Sequence, residues 1–225
     1  MNYFFENIQF LAKHHETEPK DFELSTGMLL SLIYQGAIEP TTGELIKISE
    51  YYNFPVDVLL KQDIKAKFEI KEKNIKFLIL DVDGVMTDGG MFYTEGGDEF
   101  KKFNAKDGMA IKKLTAKNFP VGIISSGFNS NIINNRAKLL GIEYVYVGIE
   151  PKINILEKWC EELGFSFQDI AFLGDDINDK EIMEKAGLNA CPANAVKIIK
   201  DTADIILKRK GGDACIREFI DEWLS

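Results

Sequence analysis

Four consecutive large apolar residues, Phe77-Leu-Ile-Leu80, run directly into Asp81-Val-Asp-Gly84. An apolar run this short, with charged residues before it and no polar alternation within it, is a strand covered on both faces, as in the interior of a parallel sheet. Side chains alternate along a strand, so Asp81 and Asp83 start on one face while Val82 points away. Gly84, with no Cβ, lets the backbone turn sharply at that point. Two carboxylates at the carboxyl end of a buried strand suit a hard cation and a nucleophile.

Downstream of this strand, apolar runs of four to six residues alternate with helical stretches, the pattern of βαβ units. Strands are predicted at 77–81, 121–125, 144–147 and 170–173, with a shorter one near 205–207. Helices are predicted at 108–117, 130–140, 154–163, 180–186 and 194–200. Segments 91–93 and 99–103 flank a glycine turn and read as a β-hairpin. The expected fold is α/β, a Rossmann-like parallel sheet with a β-hairpin over residues 67–225, preceded by a small all-α domain over 1–66. In that first part, helices are expected at 7–15, 25–35, 42–52 and 56–61, punctuated by Pro19, Gly36, Pro40 and Pro55. The lysine- and acid-rich stretch 61–76 reads as a linker.

Composition narrows the chemistry. A net charge of −9 and a pI near 4.9 argue against a general affinity for nucleic acid or anionic membrane. No apolar run approaches the roughly 20 residues of a membrane helix, and the first residues lack the basic start and apolar run of a signal peptide. Cys160, Cys191 and Cys215 are odd in number and widely spaced, forming neither a disulfide framework nor a zinc pattern, so a cytoplasmic location is expected. The two histidines, His14 and His15, lie in the first domain. Catalysis in the second must therefore use carboxylates, lysines and hydroxyls, with or without a metal.

In open α/β sheets ligands bind beyond the carboxyl ends of the strands. The first predicted strand ends in Asp81 and Asp83, the second in Ser125-Ser-Gly127. The third is followed by Gly148-Ile-Glu-Pro-Lys152, and the fourth by Gly174-Asp-Asp-Ile-Asn-Asp179. Taken singly, each has a structural reading; Asp175 and Asp176, for example, suit the cap of the next helix. Together they suit phosphoryl transfer. A carboxylate attacks phosphorus, Mg2+ screens the repulsion between two anions, and lysine and hydroxyl donors hold the phosphoryl oxygens. With no histidine available, protonation of the leaving alkoxide falls to Asp83.

Asp81-Val-Asp-Gly-Val-Met-Thr-Asp88, Ser125, Lys152 and Gly174-Asp-Asp-Ile-Asn-Asp179 resemble the four motifs of the haloacid dehalogenase superfamily of phosphatases, over roughly residues 70–225. The resemblance implies that Asp81 is the nucleophile and a magnesium ligand. It makes Asp83 the acid/base, binding metal through its backbone carbonyl. Asp175 completes the metal site with help from Asp176 and Asp179, and Ser125 and Lys152 bind the phosphoryl group. Residues 81–93, Lys102-Phe-Asn104, Asp107-Gly108 and the tail Gly211–Glu218 are similar to the small, cap-less members acting on sugar-acid phosphates. In that family the substrate is a 2-keto-3-deoxy sugar acid phosphate, such as 3-deoxy-D-manno-octulosonate (KDO) 8-phosphate or, alternatively, a nine-carbon sialic-type acid 9-phosphate. Its members form homotetramers in which a hairpin and tail of neighbouring subunits cover the site. Lys102, Asp107, Arg209 and Arg217 are thereby candidates for contacting substrate. The family's usual Thr-Gly and then Arg or Glu is replaced here by Ser125-Ser-Gly-Phe128, with no charge.

Residues 34–60, with Asn7–Lys13, resemble the repressor-like helix-turn-helix family. The expected recognition helix, 26–34, carries no Arg or Lys for phosphates. Residues 1–66 hold ten acids against five lysines, a balance of −5, the opposite sign from a DNA reader. A small helical packing or protein-binding module fits better, which leaves a regulatory or scaffolding protein as a reading of another class.

Overall fold

The structure, a computed structural model, describes residues 3–127 and 130–224. The chain divides into two units, Met1–Glu72 and Lys73–Ser225. The first comprises α1 (Phe4–His14), α2 (Pro19–Thr26), α3 (Leu30–Tyr34), α4 (Thr42–Tyr52), α5 (Val56–Lys61) and α6 (Ile64–Lys71). Their apolar faces meet in one core that includes Phe4, Ile8, Leu11, Phe22, Ile33 and Ile48. Asn7 is buried within it and fully used. Its amide donates to the carbonyls of Leu59 (2.9 Å) and Gln62 (2.7 Å), and its Oδ1 accepts from the Ile64 amide (2.9 Å), tying α1 to the α5–α6 connection.

Two expectations for this unit are corrected. The single helix at 25–35 is two helices, because Gly27 adopts φ +81°, a left-handed conformation that ends α2. The expected recognition helix thereby shrinks to the five residues of α3. The linker at 61–76 contains α6, capped by the Asp63 side chain on the Ala66 amide (2.9 Å) and anchored by buried Ile64. The division consequently falls at Glu72 and Lys73 rather than at 66 and 67.

The second unit is built around β1 (Phe77–Leu80), buried throughout. It continues through a hairpin of β2 (Phe92–Tyr93) and β3 (Glu99–Phe100), then α7 (Ala105–Thr115), β4 (Val121–Ser125), α8 (Ser130–Leu140), β5 (Tyr144–Val147) and α9 (Lys152–Leu163). After these come β6 (Ile170–Leu173), α10 (Lys180–Lys185), β7 (Leu188–Cys191), α11 (Lys197–Thr202), β8 (Ile205–Ile206) and α12 (Cys215–Trp223). Six strands form a parallel sheet in the order β5-β4-β1-β6-β7-β8, and β2 pairs with β3 antiparallel. Phe77, Ile79, Ile124, Leu156, Phe172 and Ile182 share one core cluster. No described helix is long and apolar enough to cross a membrane.

The chain leaves β1 for β4 and β5 on one side, then returns to β6 on the other. That reversal opens a crevice at the carboxyl end of β1. Leu80 pairs with Ile123 and with Leu173, so β1 and β6 end level while β4 runs two residues further, to Ser125.

Two elements were not anticipated. In β7 a buried Asn189 interrupts the apolar run; its side chain donates to the Met183 carbonyl (2.8 Å) and accepts from the Asp204 amide (2.8 Å). The segment after Gly211 forms α12, which packs against α7 and buries Cys215, Ile216, Phe219 and Ile220.

Candidate active site

Asp81 follows β1 directly, and its amide donates to the Leu173 carbonyl (3.0 Å), continuing the ladder to β6. The chain then makes one wide turn over Val82–Met86, in which Gly84 has φ +95°. Gly84 is needed on two counts: the left-handed backbone, and the fact that a Cβ there would overlap the Asp175 carboxylate. Asp175 and Asp176 follow β6, and Asp179 closes the 3-10 turn Ile177–Asp179. Asp179 Oδ2 accepts from the amides of Asp175 (2.9 Å) and Asp176 (3.3 Å), which shapes the loop.

Lys152, the first residue of α9, is buried, and its Nζ lies 2.6 Å from Asp81 Oδ1 and 2.6 Å from Asp179 Oδ1. Burial alone would lower its basicity, but the two carboxylates outweigh burial and hold the ammonium above its ordinary range. Burial pushes the Asp81 carboxyl up; Lys152 opposes this and Asp179 adds to it. The Asp175 carboxyl is pushed up to about 7, by burial and then by the charges of Asp179 and Asp176.

Above these residues is a cleft of about 460 Å³, lined in part by Asp81, Asp83, Ser125, Ser126, Asp176 and Asn178. Ser125 is buried at its floor, and its Oγ accepts from the Gly127 amide (3.4 Å). Asp176 caps the 3-10 turn through the Ile177 amide (2.7 Å). Asn178 donates to Ser126 Oγ (3.1 Å), joining the β4 and β6 sides of the cleft with neutral groups. Of the segment that departs from the family pattern, Phe128 lies outside the described residues.

The hairpin supplies the opposite wall, with Met91, Tyr93, Glu99 and Lys101. The Lys101 side chain is 3% exposed, with Nζ 2.6 Å from Asp83 Oδ1 and 2.8 Å from Glu99 Oε1. Neither Lys101, Glu99 nor the Asn178–Ser126 pair was singled out from sequence. Alternation would have found the first two: Glu99 and Lys101 face one side and Phe100, 57% exposed, the other.

The four substrate candidates are placed elsewhere in this chain, and none lines the cleft among the described residues. Lys102 is 66% exposed and pairs with Asp88 Oδ2 (2.5 Å). Asp107 is buried and accepts from the Arg217 amide (2.7 Å) at the start of α12, a capping role; burial pushes its carboxyl up to about 6. Arg217 pairs with Asp221, and the Arg209 amide donates to Glu218 (2.9 Å). A cation on a helix surface is often answered by an acid one turn further on, as Arg217 is by Asp221.

The carboxylates suit a hard divalent cation. Ligand atoms of Asp81, Asp175 and Asp179 all lie within 4.8 Å of one another. Lys152 offsets one of their three charges, leaving two. Asp175 Oδ1 is buried without a hydrogen-bond partner, an oxygen left for a cation rather than for the protein. The Asp83 side chain, turned toward Lys101, stands outside this triad, and Asp179, expected to assist, stands within it.

A parallel sheet with this acidic site at its switch point defines a haloacid dehalogenase-like hydrolase, and the family of that description matches residues 104–187. The 3-deoxy-D-manno-octulosonate 8-phosphate phosphatase KdsC of Escherichia coli (strain B / BL21-DE3) is 34% identical over 158 residues, covering 70% of this chain and 84% of the relative. A crystal structure of a probable YrbI family phosphatase from Pseudomonas syringae pv. phaseolica superimposes with TM-score 0.68 at 38% identity, covering 71% of this chain and 90% of the other. The phosphatase of Moraxella catarrhalis, solved with magnesium ion, phosphate ion and KDO, superimposes with TM-score 0.65 at 27% identity, covering 71% and 92%. The chain belongs to the 3-deoxy-D-manno-octulosonate 8-phosphate phosphatase family of haloacid dehalogenase-like hydrolases. It is a phosphoric monoester hydrolase, and its buried acidic triad suits a divalent cation.

Proposed function

We propose that the chain hydrolyses KDO 8-phosphate through an aspartyl phosphate on Asp81. The observation that carries the mechanism is the placement of Asp81 at the cleft floor, buried and held 2.6 Å from Lys152. Asp81 attacks phosphorus as the bond to the sugar oxygen breaks, and Asp83 gives that oxygen a proton. Water then attacks the phosphoryl group, Asp83 takes its proton, and Asp81 is released with inorganic phosphate. Ser125 and Lys152 hold the phosphoryl oxygens. Bound to Asp81, Asp175 and Asp179 and to the Asp83 backbone carbonyl, Mg2+ would supply charge neutralisation between nucleophile and phosphate; Asp176 shapes the loop that presents Asp175. The substrate assignment rests on the named activity of the relatives. Phosphate release across KDO 8-phosphate, nine-carbon acid 9-phosphates and simple alkyl phosphates, with and without Mg2+, tests it. Preference for a nine-carbon acid would move the assignment to that substrate. Negligible turnover on all would leave the regulatory reading. Asp81→Asn should abolish turnover with the fold intact.

The working form is taken to be a homotetramer. Met91, Phe92, Tyr93 and Phe100 stand exposed on the hairpin, more apolar surface than a two-stranded ribbon leaves to water without use. Such an assembly would close a cleft that has no lid domain of its own, and light scattering checks it. The amino-terminal unit is read as a protein-binding module, since Leu24, Leu29 and Ile46 are exposed and its charge is negative. Its helix-turn-helix likeness and DNA binding are tested by mobility shift, with no shift expected. Three buried free thiols fit a reducing cytoplasm.

A further inference from the structure

Lysine is among the residue types least often fully buried, and it goes inside only when its charge is met. Lys101 is such a case, and it comes from the hairpin rather than from the sheet. It follows β3 directly, on the same face as Glu99, and reaches 18 residues back to Asp83. Its ammonium touches two carboxylates, Asp83 at 2.6 Å and Glu99 at 2.8 Å, so one cation joins the hairpin to the residue two positions beyond the nucleophile. Both bonds to the Asp83 side chain fall on one oxygen. Oδ1 takes Lys101 Nζ and, more weakly, Thr87 Oγ1 (3.4 Å), while among the described residues Oδ2 accepts nothing. A carboxylate gripped by one oxygen cannot rotate freely, and its other oxygen is left for the cleft that Asp83 and Lys101 both line.

We infer that Lys101 is a positioning residue: anchored by Glu99, it fixes the Asp83 carboxyl so that Oδ2 faces the leaving-group oxygen of the substrate. The inference rests on Asp83 being the acid/base of the proposed reaction. It also gives the hairpin a task within its own chain, since displacing β3 would release Asp83.

The test separates proton transfer from binding and from phosphoryl chemistry. An alkyl phosphate needs its leaving oxygen protonated, whereas p-nitrophenyl phosphate releases a stabilised phenolate that needs no proton. Steady-state kinetics on both substrates, at saturating Mg2+, are measured for wild type, Lys101→Met, Lys101→Arg and Glu99→Gln. Lys101→Met is expected to lower kcat on the sugar-acid phosphate by roughly 100-fold, the scale of a misplaced catalytic group. The aryl substrate should lose less than about fivefold, since its leaving group does not draw on the acid. Lys101→Arg should recover most of the loss, and Glu99→Gln should show the same selectivity at smaller size. Mg2+ affinity, read by calorimetry, should change less than about threefold, because Lys101 touches none of the three triad carboxylates. Equal losses on the two substrates would overturn the inference, as would a raised KM with kcat unchanged, which would make Lys101 a substrate ligand. If Lys101→Met does not fold, the Glu99→Gln selectivity decides alone. Wild-type enzyme inactive on both substrates would instead sink the phosphatase reading itself.

Discussion

Lys152 Nζ is held between Asp81 Oδ1 and Asp179 Oδ1, 2.6 Å from each, with all three groups buried. The lysine therefore answers carboxylates from two strand ends at once. Replacing it with the similarly sized methionine leaves Asp81, Asp175 and Asp179 facing one another unscreened. Lys152→Met should cost about 3–5 kcal/mol of stability, the range for removing one partner from a buried ion pair. The loss should be smaller in Mg2+ than in EDTA, because the cation supplies the missing charge. Urea denaturation under the two conditions measures the difference, and an equal loss in both would mean that lysine and cation do not serve the same carboxylates.

The Asp175 carboxyl, pushed up to about 7 by burial and by Asp179 and Asp176, makes the metal-free protein sensitive to pH. Folded, this group holds its proton to near neutrality; unfolded, it releases it at about pH 4. Stability in EDTA should consequently be greatest below pH 4 as far as this residue is concerned, and should fall as pH rises to about 7. Mg2+ competes with that proton, so as far as Asp175 is concerned its affinity should rise over the same interval. Denaturation and calorimetric titration between pH 4 and 8 check both, and Asp175→Asn should flatten both curves.

The residues nearest the chemistry were legible because they sit at the ends of short apolar strands, where alternation and topology leave little choice. Asp81, Asp83, Ser125, Lys152 and the 175–179 loop all reach the crevice around β1. What could not be read was which groups pair with each other. That Asp179 joins the triad while the Asp83 side chain turns to Lys101 depends on contacts across 27 and 18 residues. Of two adjacent lysines, Lys101 faces the cleft and Lys102 faces solvent beside Asp88, because one residue along an extended chain exchanges the two sides. The elements β7 and α12 failed differently. Asn189 breaks the hydrophobic run of the first, whereas the second shows its apolar spacing only once Cys215, Ile216, Phe219 and Ile220 are read as one face.

Asp107 looked like a substrate contact and is placed as a cap, accepting the Arg217 amide at the start of α12. Asp107→Ala should cost about 0.5–2 kcal/mol, the range for losing a cap. KM for the sugar-acid phosphate should stay within about twofold in the active assembly, since a cap makes no differential contact with substrate. Thermal melting and steady-state kinetics separate the two roles: a rise in KM of tenfold or more with little change in stability would restore Asp107 as a substrate residue.

Gly84 joins the opening strand to the metal triad by what it lacks. Its φ of +95° disfavours any side chain, and a methyl group there would overlap the carboxylate of Asp175. Gly164 provides the control: it too is left-handed, at φ +67°, but nothing lies within 4 Å of its missing Cβ. Gly164→Ala should show backbone strain alone, about 1–2 kcal/mol, with kcat and Mg2+ affinity close to wild type. Gly84→Ala should add displacement of Asp175 to that strain, lowering Mg2+ affinity and reducing kcat by about 100-fold. Calorimetry with Mg2+ distinguishes them, because strain without displacement leaves binding intact. If both variants bound Mg2+ like wild type, the contact between residue 84 and Asp175 would have no part in setting the metal site.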